Sequence, residues 1–387
     1  MLLNAPKYSC KTVLKIDALR SVPYLRCPTS RPVSGALRIV TDDTTRKPAD
    51  PSKSQSKQAL QSPHDRLFRA TFSDAKQAAG LLAPLIPQAL AEQIDWSSLA
   101  LESGSYVDET LRWKHADLLF SASCNGRPAL LYLLVEHQSS HDRFMALRLL
   151  TYMARILEHH VRQHPGTSHL PPVIPMVVSN GPGSWSPATD MHALFDLPPE
   201  GEASQSQEPV RAALLPHLPS FRYLVDDLSA ASEESIQRRA LSEQATLTLL
   251  ALRHIRNLSV FVDALARWSP LLRQLDRRAL EQLLTYILET GDDPPEALAD
   301  VLRSHVTAES SEVAMSTAER LRQEGEARGR QKALRDSLLL LLREQFKQEV
   351  PGPAQARIAA ASADELSQWL TRVLSAPTIS DVFAEND

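Results

Sequence analysis

The most constraining stretch of this 387-residue chain is the dipeptide Asn125-Gly126, set between two apolar runs, Asp117 to Cys124 and Ala129 to Gln138. Both residues tolerate positive φ, which a two-residue type I′ hairpin turn requires at its two central positions. A hairpin closed there pairs residues whose numbers sum to 251, so Asp117 stands opposite Leu134 and His115 opposite Glu136. Side chains alternate with period two and cross-strand partners share a face, so Asp117, Leu134, Glu136 and Gln138 project to one side. Asp117 and Glu136 become diagonal neighbours, about 7–8 Å apart between the two backbones. Pro128 or a bulge would break that parity.

Two carboxylates at the ends of apolar strands repel each other and lose hydration unless a cation or hydrogen-bond donors compensate them. Two readings stay open. Asp117 and Glu136 are strand-end residues that meet solvent or Arg side chains, or they share one divalent ion. Oxygen-only ligation suits Mg²⁺ or Mn²⁺, which keep several waters. An ion held there would supply a nucleophilic water for attack on a phosphodiester, with Gln138 orienting that water or a phosphate oxygen.

The surroundings alternate between helix and strand. Residues 64–92 carry Leu67, Phe68, Phe72, Ala75 and Ala79 at helical spacing, and Pro84 and Pro87 divide the segment into two short helices. Residues 140–164 read as an amphipathic helix with Phe144, Leu147, Leu150, Tyr152, Ile156 and Val161 on its apolar side, ended by Pro165-Gly166. Its Arg148, Tyr152 and Arg155 recur at helical spacing, a stripe that either holds phosphates or closes the fold through acids and core contacts. Val173 to Ser179 is a short buried strand before Asn180-Gly181-Pro182, and Phe221 to Asp227 offers another. His160 and His164 have a metal-ligand spacing but no HExxH, and a helix's last turn suits imidazolium in any case. Beyond residue 232 the pattern is helical, ending in a charged stretch from Ser311 to Gln348 that reads as a solvated helix or short coiled coil.

Composition removes several classes. No apolar run nears the ~18 residues of a membrane span, so an integral membrane protein is excluded and no membrane partner is expected. Three cysteines, Cys10, Cys27 and Cys124, build neither a disulfide framework nor a zinc site and favour a reducing, cytoplasmic setting. The sequence holds 12 glycines but neither GxxxxGK[ST] nor GxGxxG. Charge is uneven: residues 1–60 carry 11 Lys+Arg and 4 Asp+Glu, leaving 31 against 42 for the rest. That basic segment reads either as a soluble tail or as a tether to nucleic acid, and the Ser/Gln/Lys/Pro-rich stretch Lys47 to Pro63 reads as linker. A translation start placed too far upstream would leave the same pattern, and no secretory signal is recognised.

His64-Asp-Arg-Leu-Phe68, Asp117-Leu-Leu-Phe120, Leu133-Leu-Val-Glu-His-Gln-Ser139, Met145-Ala-Leu-Arg-Leu-Leu-Thr-Tyr152 and Leu170-Pro-Pro-Val-Ile-Pro175 together resemble the recombination-promoting nuclease (Rpn) family, also labelled putative transposases. That family falls in the PD-(D/E)XK nuclease superfamily. The likeness runs in order over residues 62–290. It implies an α/β fold, a PD-(D/E)XK nuclease-like mixed sheet flanked by helices, with a helical C-terminal region. The organisation expected is a basic disordered extension (1–61), the nuclease-like core (62–228), a helical region (229–308) and a charged helical C-terminal segment (309–387).

By the same resemblance Asp117 and Glu136 bind Mg²⁺ or Mn²⁺, Gln138 stands where most of the superfamily has lysine, and Asp65 matches a helix-borne acid that joins the metal. A neutral amide orients by hydrogen bonding but brings no charge, so turnover is expected to be slow. Arg148 and Tyr152 are the supporting or phosphate-binding pair. The activity implied is DNA endonuclease hydrolysis that promotes recombination or acts on foreign DNA in a bacterium. The alternative is a catalytically weak DNA-binding or oligomerisation protein with a vestigial site. In that alternative the C-terminal helices mediate assembly into a homo-oligomer, and a third reading is that cleavage requires a dimer formed through them.

Overall fold

Five strands form one mixed sheet in the order β1-β2-β3-β4-β5: Ile94–Leu101, Leu118–Cys124, Arg127–Glu136, Val173–Ser179 and Leu224–Asp227. The computed structural model describes residues 62–102, 118–136, 141–181, 183–198, 208–257 and 260–384, with the side chains of 133–136 and 256–257 outside that description. The basic segment 1–61, His115, Asp117, His137 and Gln138 therefore lie outside the described residues. β1, β2 and β3 run antiparallel, while β4 and β5 continue parallel to β3. The hairpin register holds as the turn dictates: Cys124 pairs with Arg127 and Leu118 with Leu133. Asn125 and Gly126 take φ of 50° and 73°, the positive pair of a type I′ turn, and Pro128 introduces no slip.

Each sheet face is covered. On one side α1 (Pro63–Phe72), α2 (Ala75–Leu82) and the short α3 (Gln88–Ala91) precede β1, and α1 and α2 bury Phe68, Phe72 and Leu82 against Leu118, Phe120, Leu131, Met176 and Val178. On the other side α4 (Met145–Gln163) crosses from β3 to β4 and packs Met145, Leu149 and Ile156 against Leu119, Leu130, Tyr132 and Val177. A crossover helix is what a parallel pair requires.

After α5 (Glu208–Leu214) and β5 the chain is helical: α6 (Glu233–Gln237), α7 (Glu243–Asn257), α8 (Val262–Leu272), α9 (Arg277–Thr290) and α10 (Pro295–His305). α6 to α10 extend the first face's core through Leu250, Trp268, Leu284 and Leu298. α11 (Ala308–Phe346) starts in that core with Val313 and Ala314. It ends in a separate apolar cluster with α12 (Gly352–Ala360), α13 (Ala363–Arg372) and α14 (Ile379–Val382), centred on Leu338, Leu342 and Trp369. The α/β expectation, a mixed sheet flanked by helices with a helical C-terminal region, is met. No described helix is long and apolar enough to cross a membrane.

Two local expectations change, and one strand, β1, is additional to them. The first helical stretch breaks at Ser73-Asp74 as well as near the prolines, because Asp74 caps α2 by accepting from the Lys76 and Gln77 N–H groups. β1 carries little alternation: its pairing slips between Asp95 and Ala100, and Ser98 Oγ accepts the Ser123 N–H in place of a ladder bond. The buried side of α4 also differs from the one expected. Phe144, Leu147 and Val161 are 45%, 48% and 46% exposed, while Met145, Ala146, Leu149, Met153, Ile156 and His159 are buried. The two stripes lie side by side on the helix, and only the crossing over β3 and β4 decides between them.

Candidate active site

The parallel strands stop together. Glu136, the last residue of β3, pairs with Ser179, the last of β4, which pairs with Asp227, the last of β5. In sheets with parallel strands, the crevice beyond the carboxyl ends of the strands is where ligands bind. Position 136 lies at that edge; Asp117 and Gln138, with the Glu136 side chain, lie outside the described residues.

The neighbouring segments are pinned around this edge. After β3 the chain is described again from His141. Asp142 Oδ1 accepts the Phe144 N–H at 2.9 Å, which turns the backbone into α4. Asp142 Oδ2 lies 3.9 Å from Arg148 Nη1. The Arg148 guanidinium carbon lies 6.0 Å from the Tyr152 ring centroid, and Tyr152 lies 5.9 Å from the ring of Tyr132 on β3. Arg148 and Tyr152 are thus brought together on the α4 face, with Arg148 only 16% exposed.

Asp227 holds the far side. Its Oδ2 accepts the Trp185 N–H at 2.7 Å, and its Oδ1 accepts the Ser229 N–H and hydroxyl at 3.1 and 2.7 Å. The Trp185 indole packs 4.9 Å from the His141 ring and edge-on to Tyr223 at 6.2 Å. The Tyr223 hydroxyl donates to the Ala188 carbonyl at 2.9 Å, and burial pushes its phenol up to about 12. The adjacent Asp226 faces the opposite way, in a two-bond pair with Arg239 at 2.6 and 2.9 Å.

Asp65 is placed differently. It is buried in the first turn of α1, where its N–H donates to Ser62 Oγ at 3.2 Å. Its flanking residues dock α1 on α9, through His64 Nδ1 and the Tyr286 hydroxyl at 2.9 Å and through the Arg66–Glu289 ion pair. α1 packs on the sheet face opposite α4.

His160 and His164 stack at 4.3 Å, with the His164 ring nitrogen 3.0 Å from the His160 carbonyl. Burial, then the neighbouring His164, lowers the pKa of His160; burial, then Arg162, lowers that of His159. Among the described residues no group of three or more His, Cys, Asp or Glu is arranged to hold a metal. The fit of an ion at the proposed site therefore rests on donor chemistry, two carboxylates suited to Mg²⁺ or Mn²⁺. Sequence reasoning passed over His141, Gly181, Trp185 and Asp227. Asn180-Gly181 read only as a turn, and nothing in local pattern links residues from three separate loops.

A family model described as "Putative transposase, YhgA-like" matches residues 62–282. Among curated proteins, the chain is 32% identical over 236 residues to recombination-promoting nuclease RpnD of Escherichia coli O157:H7, covering 60% of this chain and 83% of that protein. It is 28% identical over 319 residues to recombination-promoting nuclease RpnA of E. coli K12, covering 81% and 98%. It is also 27% identical over 300 residues to the inactive recombination-promoting nuclease-like protein RpnE of the same strain, covering 75% and 92%. No solved structure matches.

Proposed function

The chain belongs to the YhgA-like putative transposase family, and from that premise we propose that it is a metal-dependent endonuclease hydrolysing DNA phosphodiester bonds, in recombination or against foreign DNA. The observation that carries the reading is the hairpin register. Pairing by the sum of 251 holds from Cys124 to Leu118, which supports the sequence expectation that Asp117 and Glu136 are diagonal neighbours, although Asp117 itself lies outside the described residues. The recombination-promoting nuclease names of two relatives support the same reading.

In this proposal Asp117 and Glu136 hold Mg²⁺ or Mn²⁺ with oxygen ligands. The ion supplies charge against the phosphodiester and acidifies a water. Gln138 orients the attacking water by hydrogen bonding and contributes no charge. Arg148, enclosed between Asp142 and Tyr152, holds α4 against the strand end and supports the phosphate side of the site. Asp65 would have to join from the opposite sheet face at the strand edge, so it is tested separately. Cytoplasmic location and self-association through α11 to α14 belong to the same proposal.

Supercoiled plasmid with Mg²⁺ or Mn²⁺, with and without chelator, tests it. Metal-dependent nicking by the wild type and none by Asp117→Ala is expected; equal cleavage by both removes Asp117 from the mechanism. Asp65→Ala that nicks at the wild-type rate takes Asp65 out of the ligand set.

A second reading has its own observation: one relative, similar over 75% of this chain, is named inactive. With Gln138 in the lysine position, the acidic pair would then be vestigial, and the chain would bind DNA or assemble through its C-terminal helices. Metal-independent DNA retention without any nicking favours that reading.

A further inference from the structure

We propose that the outer face of α4 docks an acidic amphipathic helix of a partner protein, an inference that stands apart from the nuclease reading. The sheet takes one side of α4, with Met145, Leu149 and Ile156 in its core, and leaves a second apolar stripe outside. Phe144, Leu147 and Val161 are 45%, 48% and 46% exposed, and Thr151, Ala154 and Glu158, exposed as well, complete the line between them. These positions alternate at intervals of three and four residues along nearly all of α4, the a/d spacing by which one helix seats another. Single exposed apolar residues need no partner, but a contiguous stripe rimmed by charge marks an interaction surface.

Charge decides what seats there. Arg148, Arg155 and Arg162 directly follow Leu147, Ala154 and Val161, so one flank of the stripe carries a guanidinium at two-turn intervals. Arg143 stands at its start, with the guanidinium carbon 4.6 Å from the Phe144 ring centroid. Arg148 is tied to Asp142 and Tyr152. Among the described residues no carboxylate pairs with Arg143, Arg155 or Arg162. Glu158 is the one acid of α4. A facing helix with carboxylates along its edge would cover the apolar stripe and pair cations that the fold leaves uncompensated.

Other occupants fit less well. Two copies of this face set antiparallel bring one arginine flank against the other, and set parallel they bring Glu158 against its own counterpart; like charges in contact oppose either pairing. The segment 1–60, with 11 Lys+Arg against 4 Asp+Glu, has the wrong sign for the arginine flank. A lipid surface suits the arginines but requires Glu158, within the stripe, to leave water without a partner. A partner helix meets both demands, because it offers acids at its edge and a residue of its own choice opposite Glu158.

The test uses the full chain and two synthetic peptides as long as α4, both with leucine at the a and d positions, one with glutamate and the other with lysine on the flanks. The like-charged flanks keep each peptide from pairing with itself. Fluorescence anisotropy should show the glutamate peptide binding about tenfold or more tightly than the lysine peptide, by a margin that shrinks as salt is raised. Leu147→Asp should weaken the glutamate peptide about tenfold or more. Arg155→Glu should narrow or reverse the preference between the peptides, and Glu158→Leu, which removes the acid from the stripe, should tighten the glutamate peptide about threefold or more. If Leu147→Asp does not fold, Arg155→Glu and Glu158→Leu decide. Absence of binding by the glutamate peptide, equal affinity for the two peptides, or binding that folded Leu147→Asp leaves unchanged overturns the proposal. So does a homodimer in sedimentation velocity that Leu147→Asp dissolves, or retention on phosphatidylserine vesicles that Leu147→Asp abolishes, since either puts a different occupant on the face.

Discussion

The two faces of the sheet are built to different ends. The face under α1, α2 and α6 to α10 is a broad apolar core, in which Phe68, Phe72, Phe120, Leu131, Trp268 and Leu284 interlock. Two of its buried hydroxyls, Thr71 on α1 and Thr248 on α7, share a hydrogen bond at 2.8 Å. The face under α4 is smaller, and polar side chains rim its carboxyl edge: His141, Asp142, Arg148, Tyr152, Trp185 and Asp227. One face supplies stability, and the other sets groups around the edge where β3, β4 and β5 stop. The difference teaches that a sheet can carry a polar edge, with an unbonded buried nitrogen, because the opposite face supplies the burial that keeps the domain folded.

The sharpest separation comes from emptying the apolar face. Phe68→Ala should destabilise by about 3–5 kcal/mol, the range for deleting a fully buried aromatic side chain. In urea titration the midpoint falls, while the nicking rate per folded molecule is unchanged. A large loss of specific activity in the folded fraction would break the division of labour.

Asp117→Ala is the converse. Nicking should fall by about a hundredfold or more, which is about 2.7 kcal/mol of barrier, with the thermal midpoint held within a few degrees. A variant that unfolds instead would make Asp117 part of the core and not of the site.

Smaller is the effect of acid on α4. Burial holds His159 below its ordinary value of 6.5. The unfolded chain therefore takes up the proton first, so this stability is fully present above pH 6.5 and is lost as pH falls through the lowered folded value. His159→Leu should flatten the decline of the thermal midpoint between pH 7 and 5, a window that follows from that ordinary histidine value. An unchanged slope would move the acid sensitivity to another group.

The smallest effect is expected at the rim. Arg222 pairs with Asp190 at 2.9 Å, but its side chain is 80% exposed. Arg222→Ala should cost at most about 1 kcal/mol, and less at high salt. A larger loss by differential scanning calorimetry would show that the loop around Met191 bears on the α4 face more than its exposure implies.

What could be read in advance followed from local chemistry. Asn125-Gly126 specified the turn, the turn specified the register, and the register specified the pairing from Leu118 to Cys124. Val173 to Ser179 was legible as a strand because it is a short apolar run bounded by prolines and Asn180-Gly181. β1 was not legible, since its serines and bulge remove the alternation that marks a strand. The buried side of α4 was misread because Leu147 and Leu149 are equally apolar, and only contact with the sheet tells them apart.

The sequence by itself determined the hairpin, the α/β order and the family motifs, because turn propensity, period and residue type act over a few neighbours. The tertiary structure alone decided that Gly181, His141 and Trp185 meet, and that His64 and Arg66 tie α1 to α9. Those contacts join residues far apart in the chain, whose proximity is created by burial of apolar faces and is written in no local pattern.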